Sequence, residues 1–179
     1  MSNFNSIISH IFKVEGGYAN QKHDKGKATN YGISLRFLEL AQEDIDGDGH
    51  INEKDIKALT KDNALDLYKE YFWDHYGLEN IRDVLIAKKA MDMFVNMRGK
   101  VAARAIQSAC VECGAKIKVD GILGKNSFSA INDLSKFTGS RDILLEAIRD
   151  AQRAVYIRIV ENDKTQKKFL KGWMRRASL

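Results

Sequence analysis

The chain has no proline. Proline removes a backbone donor and clashes with the preceding helical turn, so a chain without it leaves helix ends to glycine and to capping side chains. Apolar residues recur with a helical period in several stretches. Phe4, Ile7, Ile8, Ile11 and Phe12 form one stripe, and Leu65, Tyr68, Tyr71 and Phe72 another. Ala102, Ala105, Ile106, Ala109, Cys110 and Cys113 make a third, and Leu144, Ile148, Ala151, Val155 and Ile159 a fourth. Residues 84–95 are apolar almost all round, which marks a central buried helix. The expected fold is mostly α, with at most a small hairpin. At 179 residues and 44% hydrophobic content the chain can bury one sizeable core, and 30% charged residues argue against a membrane span and against disorder. No basic n-region or small-residue cleavage site opens the sequence, so synthesis in the cytoplasm without a signal peptide is expected.

Chemistry concentrates near the N-terminus. Glu15 is the next position on the face of Phe4, Ile8 and Phe12, and Gly16-Gly17 follows it. Glycine reaches left-handed backbone angles without penalty, so the helix stops there and a carboxyl is left between core and loop. Partial desolvation can hold a glutamic acid protonated near neutral pH, as a general acid requires. The same pattern also fits a glutamate that merely reaches out of a helix end. Eight residues separate Glu15 from Asp24 and four separate Asp24 from Thr29, across a polar, glycine-punctuated segment. Inverting glycosidases use such a set: one acid protonates the leaving oxygen while a carboxylate holds the attacking water.

The order Glu15, Asp24, Thr29 resembles that of phage-type lysozymes, with the Asp-to-Thr gap one residue shorter. Together with Glu15-Gly16-Gly17-Tyr18 and Ala28-Thr29-Asn30-Tyr31-Gly32-Ile33-Ser34, it resembles glycoside hydrolase family 108, whose members are peptidoglycan muramidases. This chain reads Gly26-Lys27 after the aspartate, where that family has Gly-Gly. Further on, Phe94-Val95-Asn96 with Gly99, the turn Val119-Asp120-Gly121-Ile122-Leu123-Gly124, and Phe169-Leu170-Lys171-Gly172-Trp173 with Arg176 resemble the peptidoglycan-binding half of the same family. The resemblance implies a lysozyme-like helical fold, with residues 1–90 as the catalytic part and 91–179 as a peptidoglycan-binding helical part in the same globular unit. It implies Glu15, Asp24 and Thr29 as catalytic residues and peptidoglycan glycan strands as substrate. Tyr18, Asn30, Tyr31, Asn96 and Arg98 are the expected substrate contacts. A monomer acting on the cell wall is expected, reaching it through a holin or another export route.

Residues 44–55 form a second feature. Asp44, Asp46 and Asp48 stand at positions 1, 3 and 5 of an EF-hand-type loop, Gly49 at 6, the carbonyl of His50 at 7, Asn52 at 9 and Asp55 at 12. Hard oxygens at this spacing suit one calcium ion, expected to be structural and not required for chemistry. Asp55 is shorter than the glutamate usual at position 12, and an acidic solvated turn is the alternative reading. Ser34 can cap a helix over 35–42, and Thr60 another.

The remaining signals are weaker. Trp73 and Tyr76 suit either sugar stacking or core packing. Cys110 and Cys113 lie on the core face of a helix, without the N-terminal position a redox pair needs or the further ligands zinc needs. His10, His23, His50 and His75 show no paired ligand spacing. Lys164, Lys167, Lys168, Lys171, Arg175 and Arg176 supply much of the net charge of +5, which would draw the protein toward an anionic wall. No groove-reading or base-stacking motif accompanies them, so nucleic acid is not an expected partner. The leading expectation is an N-acetylmuramidase with Glu15 as general acid. A lytic transglycosylase using Glu15 alone, or a non-catalytic calcium-binding wall-binding or secretion accessory protein, are the alternatives.

Overall fold

The computed structural model describes residues 3–15 and 29–179. The chain divides into two compact units, residues 1–71 and 72–179. The fold is helical, with one small hairpin among the described residues, as the sequence predicts. No helix of the described residues is long and apolar enough to cross a membrane.

In the first unit, helix α1 (Asn3–Glu15) buries Phe4, Ile7 and Ile8. Fully burying side chains of this size is worth about 1.5–3 kcal/mol each. Strands β1 (Thr29–Asn30) and β2 (Ile33–Ser34) pair antiparallel and lead into α2 (Leu35–Ala41). Ser34 Oγ accepts from the Phe37 N–H, the expected N-cap, and Gln42 ends the helix in the left-handed region. Helix α3 (Glu53–Ala58) starts with a capping box made by Asn52 and Asp55, and α4 (Lys61–Tyr68) with one made by Thr60 and Asn63. The buried side of α4 is Ala64, Leu67 and Tyr68, not the expected run through Leu65, Tyr71 and Phe72. The reason is a π-helical segment, Lys69–Asp74, which continues α4 with a wider turn. It brings Trp73, five residues beyond Tyr68, to a buried position.

In the second unit a 3-10 turn (Leu78–Asn80) precedes α5 (Val84–Asn96), α6 (Gly99–Glu112), α7 (Lys125–Leu134), α8 (Thr138–Asn162), a 3-10 turn (Lys164–Gln166) and α9 (Lys167–Ala177). Helix α8 is the hub, packing against α5, α6, α7 and α9. Helix α5 was the expected centre, but its first turn leaves Val84 and Leu85 exposed. The buried stripe of α8 is Leu144, Ile148, Gln152, Tyr156 and Val160. Steps of four drift around a 3.6-residue helix, so the inner face moves off the expected Ala151, Val155 and Ile159 and takes in two polar side chains. Tyr76 is half-buried and stacks on Phe94 at 4.1 Å, and its ring occupies the space a side chain at Gly99 would need.

Polar side chains hold the joints of this unit. Gln107, 1% exposed on α6, shares its amide N–H groups among Asp120 Oδ1, the Ile122 carbonyl and Ser127 Oγ at 2.8, 3.0 and 3.1 Å. Its Oε1 accepts from the Gly121 N–H at 2.8 Å. Gly121 has φ 87°, and a Cβ there would lie 2.6 Å from Lys100 Cγ. The turn at 119–124 is therefore architectural. Lys89, on α5, is 3% exposed and donates to the Ala177 carbonyl at 2.9 Å, closing the end of α9. Burial lowers its pKa to about 8, partly opposed by Asp92.

Replacing Gln107 by Leu strands two buried polar groups, the Gly121 N–H and the Ser127 hydroxyl, each at about 1–3 kcal/mol. A fall in melting temperature of roughly 4–24 °C is expected, at the 2–4 °C per kcal/mol usual for this chain length. A shift under 2 °C would contradict this account of the turn. Lys89 makes stability pH-dependent in a definite direction. The folded protein releases its proton near pH 8, while the unfolded chain keeps it to the ordinary 10.5, so unfolding takes up a proton between these values. Stability from this group therefore rises with pH in that window. Wild type should gain on Lys89→Met in melts compared at pH 7.5 and 9.5; a constant difference would count against it.

Candidate active site at the end of the first helix

Glu15 is the last residue of α1. Its side chain, and Gly16, Gly17, Tyr18 and Asp24, lie outside the described residues. One turn earlier Phe12 is half-buried, and its ring meets two tyrosines edge-on: Tyr31 at 5.8 Å and Tyr68 at 6.0 Å between centroids. The Tyr68 hydroxyl donates to the Tyr31 carbonyl at 3.2 Å, and Lys61 Nζ lies 5.7 Å from the Phe12 centroid. This cluster brings the last part of α1 beside the Thr29–Ser34 hairpin, two motifs separated in sequence by more than a dozen residues. Phe12 and Tyr68 both stood in stripes that read as core, and nothing in those stripes marked them as the link.

The hairpin turns on Tyr31 and Gly32, with φ of 50° and 78°. Two positive φ values in a two-residue loop make a type I′ turn, whose twist matches the strands it joins. Glycine accepts this freely. Tyr31 does not, and a side chain held in the left-handed region costs about 1–3 kcal/mol. The contacts from Phe12 and Tyr68 hold it there. Thr29, half-buried, pairs with Ser34, and Asn30 pairs with Ile33. Asn30 is buried, and its Nδ2 donates to the Ile56 and Leu59 carbonyls at 3.0 and 3.3 Å. Those are carbonyls at the end of α3, so the Asn30 amide ties the hairpin to that helix.

The acidic loop draws Asp44, Asp46 and Asp48 together, with one carboxylate oxygen of each within 4.8 Å of the others. Asp44 accepts from the Gly47 and Gly49 N–H groups at 2.7 and 2.8 Å, and both glycines have positive φ. Lys54 Nζ is 3.0 Å from Asp48 Oδ2. Asp55 is fully buried and outside the three-carboxylate group. Its Oδ1 accepts from Ile45 and Asp46, and its Oδ2 from Asn52 at 2.7 Å. Burial raises its pKa, but these N–H groups outweigh it and leave the carboxyl below the ordinary aspartate value. The His50 carbonyl accepts from Asn52 Nδ2 at 3.1 Å. A set of hard oxygens suits calcium, and a carboxylate keeps about four lone-pair sites, of which Asp55 uses three here.

Asn96 and Arg98 are both exposed. Asn96 Nδ2 donates to the Asp92 carbonyl and carboxylate, and Asp92 also receives Arg176 Nη1 at 3.2 Å. Arg98 occupies the N-cap position of α6 without a side-chain cap bond. Burial pushes the Cys110 thiol up to about 12, and burial followed by Glu112 raises Cys113. Cys113 stands at the C-terminal end of α6, where the helix dipole also disfavours a thiolate. Both are free, structural thiols.

Residues 8–98 match the family described as Glycosyl hydrolase 108, and residues 101–178 match the one described as Predicted Peptidoglycan domain. The solved structure of SagA from Brucella abortus is similar over 98% of this chain and 89% of that one, at 26% identity and a TM-score of 0.75. Among curated proteins none matches. The Glycosyl hydrolase 108 match takes in the later part of α1, the hairpin and the acidic loop, and the chain belongs to that family.

Proposed function

We propose that the protein is an N-acetylmuramidase that cleaves the glycan strands of peptidoglycan with Glu15 as general acid. The observation that carries this reading is the Phe12, Tyr31 and Tyr68 cluster, which sets the helix end bearing Glu15 against the Thr29–Tyr31 hairpin within the matched family segment. Glu15 donates its proton to the glycosidic oxygen as the bond to the anomeric carbon breaks. Asp24 orients and deprotonates a water on the opposite face, with Thr29 or Tyr31 assisting, and the reaction inverts the anomeric carbon. Tyr18 stands as a proposed contact to the sugar chain on the first unit and Asn96 and Arg98 on the second, while Asn30, buried with its amide held by two carbonyls, acts through its hold on the hairpin. The residues 101–178 match supports peptidoglycan as the ligand.

Calcium belongs to this proposal as a structural ion. Asp44, Asp46, Asp48, the His50 carbonyl and Asp55 would hold it, and its charge would relieve the mutual repulsion of the carboxylates. Each like-charged pair about 4 Å apart costs on the order of 1–4 kcal/mol between water and a protein surface.

Three measurements test these readings. In a zymogram on purified walls, Glu15→Gln should lose nearly all lysis while its melting temperature stays within a few degrees of wild type; undiminished lysis would sink the assignment. Mass spectra of the wild-type products should show hydrated reducing ends, and anhydro ends lighter by one water would replace the inverting hydrolase with a lytic transglycosylase. Calcium at a hundredfold excess over its Kd should add about 2.7 kcal/mol of stability. That should appear as a raised melting temperature, lost in Asp46→Asn. A melt indifferent to calcium would make the loop an acidic turn.

A further inference from the structure

In the second unit, the C-terminal helix faces a groove of about 420 Å³, within the range of small-ligand sites. Its aromatic side is continuous. Tyr156, Trp173 and Phe169 stack in series, with centroids 5.2 and 5.8 Å apart and rings within 30° of parallel. Phe169 ends the series with 44% of its surface exposed. The other side is cationic. Lys168 Nζ sits 4.9 Å from the Phe169 centroid, and Arg175 is exposed with no carboxylate partner among the described residues. Arg176 also lines the groove but is held by Asp92, which fixes the wall behind.

Gly172 lies between the two sides, inside α9. Glycine weakens a helix interior relative to alanine, and here neither backbone nor packing calls for it. A Cβ at this position would meet nothing within 4 Å, because the space in front of it is the groove. The glycine keeps that space open.

We infer that this groove binds an amino-sugar ring carrying a carboxylate-bearing peptide, the ring packing on the exposed surface of Phe169 at the end of the stack and the carboxylate paired with Arg175 and Lys168. A flat apolar surface accepts the C–H face of a sugar, and guanidinium pairs with carboxylate in a two-pronged geometry. Aromatic floor and cationic rim thus match one ligand carrying both features. The inference rests on the peptidoglycan reading above and extends the contact proposed at Asn96, which also lines this groove, on the unit that does not contain Glu15.

The test uses the full chain carrying Glu15→Gln, so that binding is read without cleavage. Sedimentation with insoluble wall sacculi, and titration with a soluble disaccharide-peptide, are compared for this parent and for versions adding Gly172→Leu, Phe169→Ala or Arg175→Ala. Gly172→Leu fills the groove while improving helix propensity, so its melt should match or exceed the parent's and its affinity should fall at least about tenfold. Arg175→Ala should weaken binding severalfold, and amidating the peptide carboxylates should weaken the parent to the same degree. Equal binding by all three variants would overturn the groove. So would a parent that fails to sediment with walls the wild type lyses, which leaves the muramidase reading intact. Absence of both binding and lysis would remove both.

Discussion

A buried backbone N–H or C=O must find a partner, and in this chain side chains remote in sequence meet much of that demand where helices start, stop or turn. Asn30 takes the carbonyls at the end of α3 from 26 and 29 residues away. Asp55 gathers the N–H groups of Ile45, Asp46 and Asn52, tying the entrance of the acidic loop to its exit. Gln107 does the same for the turn at 119–124, and Lys89 closes α9 from 88 residues away. Each is a polar group that would be expensive to bury alone. Each is buried because the backbone it serves would otherwise be stranded.

The first unit inherits its geometry from this arrangement. The hairpin has only two residues per strand, too few to be stable alone. It is held by the Asn30 amide on one side and by the Phe12 and Tyr68 rings on the other. Tyr31 is thereby kept in a backbone conformation it would not choose. Strain of this kind persists only where the surroundings over-determine it, and here they consist of the helix that ends in Glu15, of α3 behind Asn30, and of α4, which carries Tyr68.

Much of this was legible beforehand. The apolar stripes located α1, α5 and α6, and Ser34 and Thr60 announced their helices, because periodicity and capping are local. The acidic loop was legible for the same reason. What was not legible depended on distant partners. The π-helical continuation of α4 shifted which aromatics are buried, and nothing in Lys69–Asp74 distinguishes it from ordinary helix. Gln152 and Tyr156 stood outside the apolar stripe read for α8, yet both are buried and bond to each other at 3.1 Å. Asn30 was read as a substrate contact from its motif, and its two carbonyl partners lie in a helix that had no visible connection to it. Gln107 could have been noticed: a glutamine on an otherwise alanine-rich core face needs partners, and an aspartate-glycine turn follows 13 residues later.

The buried thiols have a consequence of a different kind. Exchange with disulfides proceeds through the thiolate, and a thiol at about 12 holds on the order of a thousandfold less of it near pH 7.5 than a free cysteine. Cys110 therefore reacts slowly with oxidised glutathione or with a neighbouring disulfide, and Cys113 is shifted the same way. Oxidation at either sulfur is therefore slowed for as long as the protein stays folded. A chain moved from reducing to oxidising surroundings would change its covalent structure at these positions slowly, its fold resting meanwhile on hydrogen bonds and packing.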